Sequence, residues 1–111
     1  DSSSSSSIKS EIHDFDDRYD LFFDNLKPQL YKYNSRLNEG YSMGYIWQET
    51  EDALSASNLV RNDVGALYES EAVEGGLGLR KSDFIALNTW QIQKLKARVD
   101  ELEKKLAALE A

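Results

Sequence analysis

Ile92, Leu95, Val99, Leu102, Leu106 and Leu109 are separated alternately by three and four residues. That spacing draws one stripe along an α-helix and, sustained over three repeats, a coiled-coil heptad with a at 92, 99 and 106 and d at 95, 102 and 109. Ile85 and Asn88 extend the same frame backwards. Residues 81–111 contain neither Gly nor Pro, so nothing interrupts the helix. The g positions hold Arg98 and Lys105, and the e positions five residues later hold Glu103 and Glu110. Opposite charges at g and the following e predict a parallel pairing of identical chains; an antiparallel pairing would oppose like charges. The charge pattern makes a terminal helix packed only on its own domain the weaker reading. Ile and Val at a with Leu at d favour two strands in isolated coiled coils, though context overrides this. Asn88 at a d position and Trp90 nearby imply that the start of the helix packs differently. The twenty residues from Ile92 make about 30 Å of helix, short enough to rely on the preceding residues for stability.

Upstream the spacing changes. Phe15, Tyr19, Phe22, Phe23 and Leu26 recur at helical intervals, with Asp14 as the expected N-cap and Pro28 as the stop. Leu30–Tyr33 reads as a short strand, Asn38-Glu39-Gly40 as a turn, and Met43–Trp47 as the hairpin partner of the first strand. Gln48–Leu54 reads as a helix whose acidic first turn (Glu49, Glu51, Asp52) suits the helix dipole. Asp63–Tyr68 is a weak strand, and Gly75-Gly76-Leu77-Gly78 a loop or hairpin tip. The strand tyrosines and Trp47 read as half-buried packing. The fold class expected is α+β, a small helix and β-hairpin domain ending in a long C-terminal coiled-coil helix. Three zones divide the chain: a Ser-rich arm (1–9), a mixed core holding all six glycines and the proline (10–80), and the helix (81–111).

Composition then narrows the chemistry. Thirteen basic against twenty acidic side chains leave a formal charge of -7, the wrong sign for a phosphate-binding face, so no nucleic-acid partner is expected. No apolar run approaches the roughly 20 residues that span a bilayer, so no membrane partner is expected either. Without cysteine, thiol nucleophiles and zinc ribbons are excluded, and the single histidine, His13, cannot build a His-based metal site. No metal or other cofactor is expected. The glycine cluster at 75–78 lacks the phosphate-loop spacing and its Lys-Ser/Thr. Asp16-Asp17 and the Glu49 cluster read as solvated helix caps, and His13 beside Asp14 as a surface histidine. Serine and lysine remain. A lysine amine that has lost its proton can activate a serine hydroxyl, and Ser4 to Ser7 lie close to Lys9. A flexible serine linker is the competing reading of the same run.

Several segments together carry a resemblance. The opening Ser4, Ile8, Lys9, Ser10, Glu11 and Ile12 are similar to a cleavage arm in which a serine is followed five residues later by a lysine. Leu26-Lys27-Pro28 with Tyr31-Lys32-Tyr33, Gly44-Tyr45-Ile46-Trp47-Gln48-Glu49, and Phe84-Ile85-Ala86-Leu87-Asn88 with Gln91 and Leu95 follow in matching order. Read whole, the chain resembles the C-terminal self-cleaving intramolecular chaperone domains of phage tailspikes, tail fibres and neck appendages. It departs from the family at Met43, where a histidine is usual, at Trp47, where alanine is usual, and at Ser5, where aspartate commonly follows the serine. The resemblance implies a parallel homotrimer, with the upstream fibre or spike segment of the same polypeptide as its other partner. It also implies autoproteolysis by a Ser-Lys dyad, with Lys9 as base and Ser4, or a serine preceding Asp1, as nucleophile. Its setting would be the host cytoplasm during virion assembly, with release from the mature fibre after the cut.

Overall fold

A computed structural model of the chain describes residues 3–111. It is an α+β fold of three α-helices and two small antiparallel hairpins, and the last helix is by far the longest. Asp1 and Ser2, the first residues of the predicted arm, lie outside the described residues.

Helix α1 spans Asp17–Asn25, two residues later than Asp14 as its cap would imply. The cap is Asp16, whose carboxylate accepts from the Arg18 backbone N–H at 3.0 Å and from its guanidinium Nη2 at 2.9 Å. The guanidinium holds the Asp16 carboxyl below the usual carboxylate range. Phe15, expected inside the helix, instead precedes it and is free to turn its ring elsewhere. The helix stops at Asn25, with Leu26 as an extended C-cap before Pro28.

Strands β1 (Gln29–Tyr31) and β2 (Ser42–Gly44) pair antiparallel, with Leu30 opposite Met43. Both are shorter than the expected strands because the chain turns into a 3-10 segment at Asn34–Arg36 and into helix α2 (Trp47–Ala56). Since α2 begins at Trp47, only Glu49 falls in its first turn, and Glu51 and Asp52 lie beyond it. The end of α2 is fixed by chemistry not read from the sequence. Asn58 adopts φ 58°, the left-handed conformation that asparagine tolerates. The Asn58 N–H then bonds Ser55 O at 3.3 Å and the Leu59 N–H bonds Leu54 O at 3.0 Å, which satisfies two helix-end carbonyls. Leu54 and Leu59 are both buried there.

The expected strand at Asp63–Tyr68 is shorter. Arg61–Asp63 form a 3-10 turn tied by the Asp63 carboxylate to the Val60 N–H at 2.8 Å. Strand β3 covers Leu67–Glu69 and pairs with β4 (Leu77–Leu79) across the glycine turn. Gly75 and Gly76 both sit at φ 78°, where a side chain would be strained. Gly78 lies opposite Tyr68, whose ring occupies the space of a Cβ.

Helix α3 runs unbroken from Asp83 to Glu110, about 42 Å of helix. Its first two turns close the core: Phe84 and Leu87 join Phe22, Ala53, Leu54, Leu59, Ala66 and Leu67, none more than 4% exposed. Phe84 stacks on Tyr45 at 4.8 Å and faces Phe22 at 6.4 Å. Full burial of such a side chain contributes about 1.5–3 kcal/mol. Beyond that region the helix projects. The radius of gyration is 18.1 Å, against about 13 Å for a compact chain of this length.

Two contacts brace the projecting helix. The Phe15 ring stacks on Trp90 at 4.8 Å. The Asp20 carboxylate pairs with the Lys94 ammonium and accepts from Gln91 Nε2 at 2.7 Å. The Lys94 bond, then the Gln91 bond, holds the Asp20 carboxyl below its ordinary value. A depressed folded-state carboxyl contributes stability above its unfolded pKa and loses it as pH falls through the folded one. Asp20→Asn is therefore expected to be less stable than the parent at pH 7, by about 1 kcal/mol or less given the partial exposure of the pair. That difference should shrink below about pH 5 and vanish once the Asp20 carboxyl is protonated in both the folded and the unfolded chain; paired urea titrations at several pH values measure it.

Candidate functional site

The predicted seam residues all lie on α3, and all are open. Ile92, Leu95, Val99, Leu102, Leu106 and Leu109 are 47 to 85% exposed, and Ile85 in the same frame is 66% exposed. At about 100° per residue, Phe84, Leu87, Trp90, Gln91 and Lys94 cluster on a second face, roughly a quarter of a turn away. That second face is the one spent on the chain's own domain, through the core, the Phe15 stack and Asp20. The helix thus packs on its own domain with one face while its heptad stripe stays exposed. The stripe is flanked by shallow grooves, one lined by Ile92, Leu95, Lys96, Val99 and Asp100.

Charges beside the stripe find partners within the helix. Arg98 pairs with Glu101 at 3.1 Å and Lys105 with the same carboxylate at 3.0 Å. The Lys105 and Arg98 bonds hold the Glu101 carboxyl below the usual range. Glu103 and Glu110 remain exposed beside the seam. All of these groups stand in solvent, so exchanging one partner for another changes little.

The arm is the other predicted site. Ser4 and Lys9 are both exposed and stand on either side of a 3-10 turn, Ser6–Ile8. Ser5 caps that turn: its hydroxyl accepts from the Ser7 N–H at 3.2 Å and lies 2.9 Å from the Ser7 hydroxyl. The Lys9 N–H closes it on Ser6 O at 3.4 Å. Lys9 is flanked by Ile8 and Ile12, 64 and 72% exposed. A neutral lysine base needs dry surroundings or neighbouring cations. The single chain leaves Lys9 open to water.

His13 is exposed and its Nδ1 lies 3.1 Å from the Asp14 backbone oxygen, so the Asp14 carboxylate does not orient it. Among the described residues no group of three or more His, Asp or Glu side chains is placed to hold a metal, and no helix is long and apolar enough to cross a membrane.

One feature escaped the sequence. The two hairpins enclose a cleft of about 460 Å³ whose lining includes Tyr31, Tyr33, Arg36, Tyr45, Trp47 and Lys81. The Tyr31 and Tyr33 hydroxyls are 3.4 Å apart and Lys81 Nζ reaches Tyr31 at 3.5 Å. The Tyr33 hydrogen bond, and after it Lys81, draws the Tyr31 phenol below its ordinary value, while the same bond pushes Tyr33 up. Tyr31, Tyr45, Trp47 and Tyr68 are half-buried as expected, but Tyr33, expected with them, is exposed, and so is Tyr41 in the turn region. Their rings are covered instead by cations, Arg36 over Tyr33 at 4.2 Å and Lys32 over Tyr41 at 4.8 Å. The alternation Tyr31-Lys32-Tyr33 carried the signal, since period two puts both tyrosines on one face.

No family model, curated protein or solved structure matches the chain.

Proposed function

We propose that this chain is a trimerising intramolecular chaperone for an upstream fibre, spike or appendage segment of the same polypeptide, released afterwards by Ser-Lys autoproteolysis. One observation carries the assembly half: the apolar stripe Ile92–Leu109 is open along its whole length while the neighbouring face of the same helix is used internally. A monomer gains nothing by keeping such a stripe in water. Three parallel copies bury it and leave all three small domains outside the bundle. The number three and the role in phage assembly rest on the family resemblance.

The function follows from effective concentration. Interlocked β-structure folds slowly because its contacts are non-local. Joining three chains at one end makes their later association intramolecular. Cleavage then proceeds in two steps. The Lys9 amine takes the serine hydroxyl proton as the oxygen attacks the scissile carbonyl, and the departing amine takes that proton back. Water hydrolyses the resulting ester and regenerates the serine. With the domain gone, the folded fibre loses its route back to separate chains.

A second reading, an inert oligomerisation and attachment module, is favoured by one observation: Lys9 stands in solvent within its own protomer. Deleting residues 1–111 from the full-length polypeptide separates chaperone from bystander. The upstream chains should then be recovered as aggregates or monomers, and this domain supplied as a separate chain should not rescue them. Upstream chains that reach a native trimer without it would overturn the chaperone reading.

A further inference from the structure

Asn88 is the one polar residue among the a and d positions from Ile85 to Leu109. It is exposed, one residue beyond buried Leu87 and three beyond exposed Ile85, near the start of the open stripe. The rest of the stripe is a poor ruler. A neighbouring copy displaced by one heptad still sets apolar layers against apolar layers, Ile92 against Val99 and Leu95 against Leu102. The charges discriminate little better. Such a slip still brings Arg98 of one copy against Glu110 of its neighbour and the neighbour's Lys105 against Glu103 of the first, with the neighbour's Arg98 against Lys96 as the single opposed contact. These pairs lie at an exposed rim, where ion pairs contribute little.

We infer that Asn88 fixes the axial register of the assembled helices. The inference rests on the homomeric seam proposed above. In register, the Asn88 carboxamides of the copies meet at one level on the axis, where each carries both donors and an acceptor and can bond its neighbour. Displaced by seven residues, the Asn88 of one copy faces Leu95 of its neighbour and is buried without a partner, which is unfavourable, while the neighbour's own Asn88 is left opposite position 81, ahead of the helix. A single polar layer in an apolar seam specifies register at some expense of stability. Its position gives the device its purpose. The layer lies within about one turn of Phe84 and Leu87, so it levels the three domains and, through them, the chains that lead into them. A slip of one heptad offsets those chains by about 10 Å, roughly three residues of an extended strand.

The chain has no cysteine, so disulfide trapping reads register directly. Differently tagged chains carrying Leu102→Cys or Leu109→Cys are mixed, allowed to exchange and oxidised. Two cysteines can be bridged only when their Cα atoms are within about 7 Å. In-register copies should give same-position disulfides alone. Adding Asn88→Leu to both chains should produce, as a substantial fraction, mixed disulfides that join position 102 of one chain to position 109 of another, together with a higher melting temperature. Asn88 is exposed in the single chain, so the domain fold should not change, which far-ultraviolet circular dichroism checks. Asn88→Leu assemblies that give only same-position disulfides, as the parent does, would overturn the role of Asn88 and leave the seam standing. A parent that forms no same-position disulfide and scatters as a monomer would remove the seam and this inference with it.

Discussion

The isolated chain is expected to scatter light as a species of about 38 kDa, three times its 12.6 kDa, and Val99→Asp/Leu102→Asp to run as a monomer. Each substitution would place a carboxylate in the seam at every copy, and a buried charge without a partner costs several kcal/mol. Neither position touches the core formed by Phe22, Leu54, Phe84 and their neighbours. The variant should therefore keep the near-ultraviolet spectrum of a folded domain while losing its partners. Added salt should weaken the parent trimer only modestly, because pairs such as Arg98–Glu103 across chains are exposed and contribute roughly 0–1 kcal/mol each. A parent that is monomeric at micromolar concentration would dispose of the seam.

The second large effect concerns cleavage. With the native upstream segment attached, Lys9→Met is expected to abolish self-cleavage and leave the trimer intact, since Lys9 is exposed on the arm and is not part of the α3 stripe. Lys9→Arg should fail as well: a guanidinium keeps the charge but does not give up its proton to become a base. Parent cleavage should be first order and independent of protein concentration once trimers exist. Its rate should rise with pH, because only the neutral amine accepts the serine proton. The dry surroundings that one protomer does not supply would come from neighbouring copies, against which Ile8 and Ile12 have apolar surface to bury. The seam variant Val99→Asp/Leu102→Asp should then also be cleavage-dead. Complete cleavage of the Lys9→Met chain, read by mass spectrometry, would take Lys9 out of the chemistry.

Periodicity alone determined the elements that depend on local sequence. The heptad from Ile92, the helix before Pro28 and the pairing of the Leu30–Tyr33 segment with the Met43–Trp47 segment were legible because spacing, proline and turn residues act locally; the register, Leu30 opposite Met43, was not. The element ends were not. Asp16 rather than Asp14 caps α1 because the cap is decided by which carboxylate reaches an N–H, and three aspartates compete within four residues. The strand expected from Asp63 begins only at Leu67, because the Asp63 side chain bonds the Val60 N–H and closes a turn instead.

Which face of α3 is free was decided by tertiary structure. The sequence offers that helix two apolar faces, Phe84-Leu87-Trp90 and the heptad stripe, and periodicity cannot rank them. Phe15 leaving its helix to stack on Trp90, and Asp20 reaching Lys94 across 74 residues, commit the first face to the domain and leave the second open. The cleft between the hairpins is of the same kind, since Lys81 lies 50 positions from Tyr31 and meets it only once the chain between them has folded. Spacing along a chain fixes which side chains share a face; only the packing of distant segments decides which face is left for a partner.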